Sequence, residues 1–353
     1  MELEKIDGNF AAAATADAAK FYNVKTDERF LVRGLCGFQS DKEFTRIPKM
    51  YLASMPERVR VLKDHTSGGR VSFTTDSSYI AVRYVGKRSV LPHATAILTN
   101  GFDVYEENKF LGSIIPPATF ADNYERVIKL GERKMRNIVI DFPLYGEVKE
   151  LFIGLENGAD LQRNDERFAA KVLFYGSSIT QGACSSRPGT SYVSAVCRRL
   201  GLDFYNFGFS GGAWAERSVA EYLAGIAADA FVFDYDYNAP DAGYLAKTHE
   251  PFYLFYREKN PDTPVLFISK PDYSSLKKDD RMRRAIIFQT YIRAKKRGEN
   301  VYWLDGKGFY PKKVHDECSV DGCHPNDLGA YFIGRKIGRV LTGILNINSK
   351  SLP

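Results

Sequence analysis

The sequence predicts two domains of different class: an all-β sandwich of jelly-roll type, followed by a three-layer α/β domain with a doubly wound parallel sheet. Three observations carry this. From residue 30 to about 155, short period-two runs are separated by turn residues. From 171 onward, strand, loop and helix patterns alternate. Between them, 157–167 is polar and rich in Asp, Asn and Arg, as a linker is. The expected organisation is an N-terminal extension over 1–28, the sandwich over 29–165 and the α/β domain over 166–353.

The first two dozen residues are Ala-rich and can start as a short helix. In the sandwich, Ser67-Gly68-Gly69 leads into a strand over 70–74, and Asp76-Ser77-Ser78 into one over 79–85. Residues 108–111 read as a turn between 102–105 and a run ending at Ile115. Strands over 137–142 and 148–155 follow. Short alternating strands without a long helical window are the pattern of an antiparallel sandwich.

In the second half, 171–175, 203–207, 230–235, 265–269 and 301–304 are short and continuously apolar or aromatic. Strands covered on both faces read this way. Helical windows lie at 191–200, 217–227, 242–259, 279–297 and 326–345, with Gly201 and Gly298 where C-caps belong. The alternation implies a parallel sheet. There is no internal repeat or low-complexity segment.

Composition excludes several function classes. The 49 basic and 43 acidic residues are interspersed, so a net charge of +6 does not point to an acidic partner. The densest basic run, 281–297, surrounds Ala285-Ile286-Ile287-Phe288 and reads as the solvated face of an amphipathic helix, not a nucleic-acid footprint. No apolar stretch approaches the roughly 20 residues of a membrane span. The N-terminus is charged, and Ala11-Ala12-Ala13-Ala14 is too short for a signal core. The chain therefore reads as cytoplasmic, or as secreted with its signal already removed. Five cysteines make no disulfide framework, and their odd number fits a reducing compartment.

In an open parallel sheet, ligands bind beyond the carboxyl ends of the strands. The first strand is followed by Gly176-Ser177-Ser178-Ile179-Thr180-Gln181-Gly182 and the second by Gly208-Phe209-Ser210-Gly211-Gly212. The third is followed by Asp236-Tyr237-Asn238-Ala239-Pro240, and Asp321-Gly322-Cys323-His324-Pro325 lies after the fifth. Small, polar and titratable residues thus collect at the edge where chemistry belongs. In order, spacing and placement, these segments resemble the four sequence blocks of the SGNH, or GDSL-type, hydrolases, across roughly 171–341. One departure is clear: the usual Gly-Asp-Ser is Gly176-Ser177-Ser178, which removes an Asp that is not the triad acid and leaves two adjacent serines. Ser178 is the match, because Ser178-Ile179-Thr180 continues as the family's Ser-Ile-Thr does.

The resemblance implies a serine esterase working through an acyl-serine intermediate. A serine hydroxyl is a weak nucleophile and requires a base within hydrogen-bond reach. Ser178 is the expected nucleophile, His324 the base, and Asp321 the acid that orients the imidazole and stabilises its charged form. The family's oxyanion donors map onto the Ser178 and Gly211 amides and the Asn238 side chain. The other readings are a turn residue for Gly211 or Asn238, and a Ser-His dyad without Asp321. His65, His93, His249 and His315 have no partner pattern and read as structural. No His and Cys spacing matches a zinc site, so no metal is expected, and the chemistry requires no cofactor.

A second match lies in the first half. Gly101-Phe102-Asp103-Val104-Tyr105 resembles the Gly-x-Asp-Leu-Tyr signature of the β-sandwich that precedes one branch of the family, and Leu144-Tyr145 and Val148-Lys149-Glu150-Leu151 also fit it. That branch implies esterases removing small acyl groups, often acetyl, from carbohydrates. The expected partner is thus a small-molecule or oligosaccharide ester, with no nucleic acid or membrane; the oligomeric state stays open. The sandwich either touches substrate or braces the catalytic domain. Trp214 and Tyr237 can stack on a sugar or pack in the core, and Arg187 can contact substrate or make a structural salt bridge. The alternatives are a short-chain lipase-type esterase or thioesterase with the same triad, and a carbohydrate-binding protein without catalysis. If Ser178 and His324 touch, Cys184 and Cys323 are near neighbours, either as two thiols or as a disulfide clamping the Asp321–His324 loop.

Overall fold

The computed structural model describes residues 19–271 and 278–347; the expected helix start in the Ala-rich segment lies outside the described residues. The first domain is a sandwich of two antiparallel sheets. One runs in the order β1 (Lys20–Asn23), β9 (Glu150–Leu155), β4 (Tyr79–Val85), β7 (Asn123–Lys129). The other runs β10 (Leu161–Gln162), β3 (Arg70–Thr75), β8 (Arg136–Asp141), β5 (Phe102–Glu106), β6 (Lys109–Ile114), with β2 (Leu31–Arg33) also on β3. Every second residue turns inward: Ile80, Val82, Leu151 and Ile153 from one sheet meet Val71, Phe73, Ile138 and Ile140 from the other, all fully buried. The period-two pattern is therefore the sandwich core itself.

Two expectations are corrected here, and short helices are added. β1 pairs with β9, so the sandwich takes in residues ahead of 29. β6 already begins at Lys109, so the turn occupies 107–108 and not 108–111. Short helices α1 (Cys36–Asp41), α2 (Glu57–Leu62) and α3 (Ala96–Asn100) interrupt the strands. Ile47, Met55 and Val59, from the stretch around α2, belong to the core of the second domain.

The second domain is built on the parallel sheet β12-β11-β13-β14-β15, where β11 is Lys171–Gly176, β12 Asp203–Gly208, β13 Ala230–Asp234, β14 Val265–Ile268 and β15 Val301–Leu304. Its strands are apolar throughout because both faces are covered. Val172, Phe174, Val232 and Leu266 pack toward α5 (Tyr192–Leu200) and α9 (Asp327–Ile344). Their neighbours Leu173, Tyr175, Phe231, Phe233 and Phe267 pack toward α6 (Arg217–Ala224), α7 (Ala242–Lys259) and α8 (Lys278–Lys296). From β11 the chain moves outward to β12 and then returns to place β13 on the other side. That reversal opens a crevice at the carboxyl ends of β11 and β13.

Four members of the basic run make ion pairs. Arg293 and Arg297 share Glu250, and Arg284 pairs with Asp305. Arg283 is buried and faces inward. No helix among the described residues is long and apolar enough to cross a membrane.

Candidate active site

At the end of β11 the chain enters the one-turn helix α4 (Ser178–Gln181). Ser177 is its N-cap, and the Ser177 Oγ accepts from the Ile179 N–H at 3.2 Å. A serine serves this role as well as the aspartate of the usual motif. Ser178 is the first helical residue, 6% exposed, at the crevice. The turn sits hard against β12: a Cβ on Gly208 would lie 2.1 Å from the Gln181 amide nitrogen, so only glycine fits there.

The Asp321–His324 loop reaches this turn from the other end of the domain. Ser178 Oγ lies 2.9 Å from His324 Nε2, and His324 Nδ1 lies 2.7 Å from Asp321 Oδ2. The other carboxylate oxygen of Asp321 accepts from the backbone N–H of Cys323 at 3.0 Å and of His324 at 2.7 Å. Desolvation raises the pKa of this carboxyl, but the bonds from the His324 amide and ring and the Cys323 amide outweigh it and hold the group down at about 2. A carboxylate on Nδ1 favours the tautomer whose Nε2 accepts from the Ser178 hydroxyl, the arrangement a general base needs.

The three expected oxyanion donors lie on two neighbouring loops and the Ser178 turn. Gly211 adopts φ +67°, a left-handed conformation that turns the glycine loop over at the crevice. Its carbonyl accepts from Trp214 Nε1 at 3.1 Å. Asn238 Oδ1 accepts from the Ala213 amide at 3.3 Å, which ties the Asn238 loop to the glycine loop. Arg283 holds the Asn238 loop from behind, donating to the carbonyls of Asp236 and Ala239, both at 3.0 Å. One member of the basic run is therefore anchored behind this loop.

Several residues here have contacts that the sequence does not announce, Thr180 and Gln181 included, although both stand in the block after the first strand. Gln181 is the hub beneath the Ser178 turn: its Oε1 accepts from the Ser210 amide at 2.9 Å, and its Nε2 donates to the Leu144 carbonyl and to His65 Nδ1, both at 3.0 Å. Burial, with Arg46 beside it, pushes His65 down to about 4, so it stays neutral and accepts. Arg46, fully buried, donates to the carbonyls of Asn206, Leu62 and Gly208 and lies 4.4 Å from the Phe209 ring centroid. Thr180 and Tyr192 donate to Asp234 Oδ2 at 2.8 and 2.9 Å. His93, from the loop before α3, stacks on His324 with ring centroids 5.3 Å apart. These contacts cross the domain boundary or join distant strands, and no local pattern marks the pairs.

The family model of the GDSL-like Lipase/Acylhydrolase family matches residues 169–342, and the model described as the N-terminus of Esterase_SGNH_hydro-type, GxDLY, matches 19–161. The chain belongs to the GDSL/SGNH hydrolases. It is therefore a carboxylic ester hydrolase, of the branch with a GxDLY sandwich. It is similar to a structure assigned to the GDSL-like lipases from Bacteroides ovatus ATCC 8483, at 29% identity and TM-score 0.85, covering 94% of this chain and 99% of that one. It shares its fold with the salicylyl-acyltransferase SsfX3 from a tetracycline biosynthetic pathway, at 19% identity and TM-score 0.78, covering 95% and 100%. It does so too with the acetyl xylan esterase Est2A from Butyrivibrio proteoclasticus, at 12% identity and TM-score 0.61, covering 94% and 99%. No curated protein matches the sequence significantly.

In this hydrolase the GxDLY motif forms the clasp between the domains. Asp103 is wholly buried and accepts from Arg187 Nη1 at 2.7 Å, the Gly189 amide at 2.8 Å and Ser113 Oγ at 2.6 Å. Tyr105 Oη accepts from the same Arg187 nitrogen at 2.7 Å, and the guanidinium stacks 3.8 Å from the Phe110 ring centroid. Of the two readings of Arg187, substrate contact or structural salt bridge, the salt bridge to Asp103 is the one formed here. Trp214 has Arg58 on its ring at 3.4 Å and Tyr244 at its edge, so the indole is half enclosed by protein. Tyr237 is half-buried and donates to the Pro271 carbonyl at 3.2 Å, beside the Cys323 thiol. All five cysteines are unbridged, Cys184 and Cys323 included.

Proposed function

We propose that the protein is a serine esterase that removes small acyl groups, acetyl foremost, from carbohydrate hydroxyls. Ser178 attacks the ester carbonyl while His324 takes its proton, and Asp321 stabilises the imidazolium. The Ser178 and Gly211 amides and Asn238 Nδ2 receive the oxyanion. His324 then protonates the departing alcohol, and later activates the water that releases the acyl group from Ser178. The observation that carries this reading is the continuous chain from Ser178 Oγ through the His324 ring to Asp321, at 2.9 and 2.7 Å.

Two features favour a small acyl group on a polar alcohol. The apolar residues Leu98, Leu144, Tyr145 and Ala183 pack with Cys184 into one buried cluster near the Ser178 turn, edged by the half-buried Leu91 and Ala94. A long acyl chain would have to open it, and packed interiors resist this. Beside Gly211 lies a groove of about 500 Å³ lined by Ser210, Glu57, Arg58 and Glu216 together with Pro56, Val61 and Leu62, a mix of polar and apolar surface that suits the hydroxyls and ring faces of a sugar. The shared fold with an acetyl xylan esterase, and with family two carbohydrate esterases from Clostridium thermocellum and Cellvibrio japonicus, agrees with this choice.

The test is a chain-length series of chromogenic esters followed by a panel of acetylated oligosaccharides scored by released acetate. Acetyl esters should be turned over fastest, with rates falling as the chain lengthens. A rise in kcat/KM toward long acyl chains would replace the reading with a lipase-type esterase, and acetyl-CoA as the best substrate with a thioesterase.

A further inference from the structure

We propose that His93, Cys184 and His324 form an inhibitory binding site for a borderline-to-soft divalent cation, with Zn²⁺ as the best fit. Three separate segments converge here: the loop before α3 of the sandwich, the loop after α4, and the loop carrying Asp321. One ligand atom from each residue lies within 4.8 Å of the other two. The His93 and His324 rings are stacked, with an interplanar angle of 26°, and Cys184 Sγ lies 3.4 Å from the His93 carbonyl oxygen.

Two imidazoles and a thiol are the donor set that zinc selects over magnesium or calcium. Metal–nitrogen bonds of about 2.0–2.1 Å and metal–sulfur bonds of about 2.3 Å in a tetrahedron put ligand atoms roughly 3.4–3.6 Å apart. The present spacing, up to 4.8 Å, exceeds this by up to about 1.2–1.4 Å, and the exposed His93, on a loop, is the member free to close it. Binding requires no redox step: the Cys184 thiol releases its proton to solvent as the sulfur–metal bond forms.

Inhibition follows from which atoms are already in use. His324 has two ring nitrogens, and both are committed, Nε2 to Ser178 and Nδ1 to Asp321. Whichever nitrogen the cation takes, one of the two bonds is lost. The metal thus acts as a competitor for the general base and not as a cofactor. The inhibitory consequence rests on the triad proposed above; the binding site itself does not.

The test combines calorimetric titration of the intact chain with Zn²⁺ and esterase assays in buffered Zn²⁺ with and without a chelator. Wild type should bind one Zn²⁺ per chain, lose activity with the same midpoint, and recover it on adding EDTA. His93→Ala and Cys184→Ser should each weaken binding and inhibition together, by at least the roughly 10–100-fold that losing even an outer-shell partner costs. Ser178→Ala, which frees Nε2, should bind Zn²⁺ no more weakly than wild type. Stoichiometric binding unchanged in both the His93 and Cys184 variants, or no binding at all, would overturn the site. Binding that obeys the variants but leaves turnover untouched would overturn inhibition through His324. If the esterase reading itself fails, no turnover is seen without metal, and the titration still decides the site.

Discussion

The two loops that meet at the active site are held in opposite ways. The Ser178 turn is buried and over-determined: Ser177 caps it, Gln181 and Gly208 lock it to the glycine loop and β12, and Tyr145 Oη reaches the Ser178 carbonyl at 3.4 Å. The loop carrying Asp321 and His324 is largely exposed, and its bonds are mostly local. They are the two amides on Asp321, the bridge between Ser319 and Pro325, and the Asn326 side chain donating to the Glu317 carbonyl at 2.6 Å. Core packing fixes the first; a few short-range hydrogen bonds fix the second. On the proposed mechanism, the attacking atom sits on the rigid turn and the base on the loop whose hold on the imidazole runs chiefly through Asp321.

The largest expected effect comes from the rigid side. Ser178→Ala should lower turnover of an acetyl ester by on the order of 10⁴–10⁶-fold, since the remaining triad members cannot act without it. The unfolding midpoint should stay near wild type, because the surrounding bonds do not use the hydroxyl. Turnover within tenfold of wild type would remove Ser178 from the mechanism.

Asp321→Asn tests the exposed loop. Asn can still accept from the two amides, but it presents an N–H to Nδ1 and favours the wrong tautomer, which costs up to about 10⁴-fold where the histidine has no other support. A loss of only a few-fold, measured as kcat with acetyl esters, would mean that another group orients His324. The depressed pKa sets the sign of the pH dependence. The hold of Asp321 on the loop is present above the ordinary carboxylate value of 3.8 and is lost as pH falls toward about 2.

What the sequence made legible follows the same division. The catalytic segments can be read from it because each is local: a few small or titratable residues directly after a strand. Strands with both faces covered, such as β13, are marked by unbroken apolar runs. The edge strands β1, β7 and β10 escape notice because they are short or half-exposed and mix charges with apolar residues, as in Asn123–Lys129. Arg46, Gln181 and His93 escape for another reason. Each acquires its role from a partner more than a hundred residues away, Arg46 on Gly208, Gln181 on His65 and His93 on His324, and no window of sequence contains such a pair.

The sandwich shows whether bracing or recognition dominates at the clasp. Arg187→Ala strands the buried Asp103 carboxylate, and removing one partner of such a pair typically costs about 3–5 kcal/mol. Denaturant unfolding should report that loss, with Arg187→Lys intermediate because one point charge replaces a planar fork. Unchanged stability with a raised KM would instead give Arg187 to the substrate.

The smallest effect is expected at Ser177, beside the most severe one. Its hydroxyl caps α4 and has no bond to His324. Ser177→Ala therefore removes an N-cap, worth about 0.5–2 kcal/mol. The turn retains its backbone closure, with the Gln181 amide on the Ser177 carbonyl at 3.0 Å and the Gly182 and Ala183 amides on the Ser178 carbonyl, both at 2.9 Å. Ser178 Oγ should thus stay in register with His324. The expected result is a modest fall in unfolding midpoint with kcat reduced only a few-fold. Ser177→Asp supplies another good cap and favours the helix N-terminus electrostatically, but it must bring a charge into a position only 2% exposed. It should fold with turnover between wild type and Ser177→Ala if that charge finds the α4 amides, and lose stability beyond Ser177→Ala if it does not. Should Ser177→Ala instead abolish turnover while Ser178→Ala retains it, the attacking residue is the first serine of the pair, and the geometry drawn through His324 is not the one the enzyme uses.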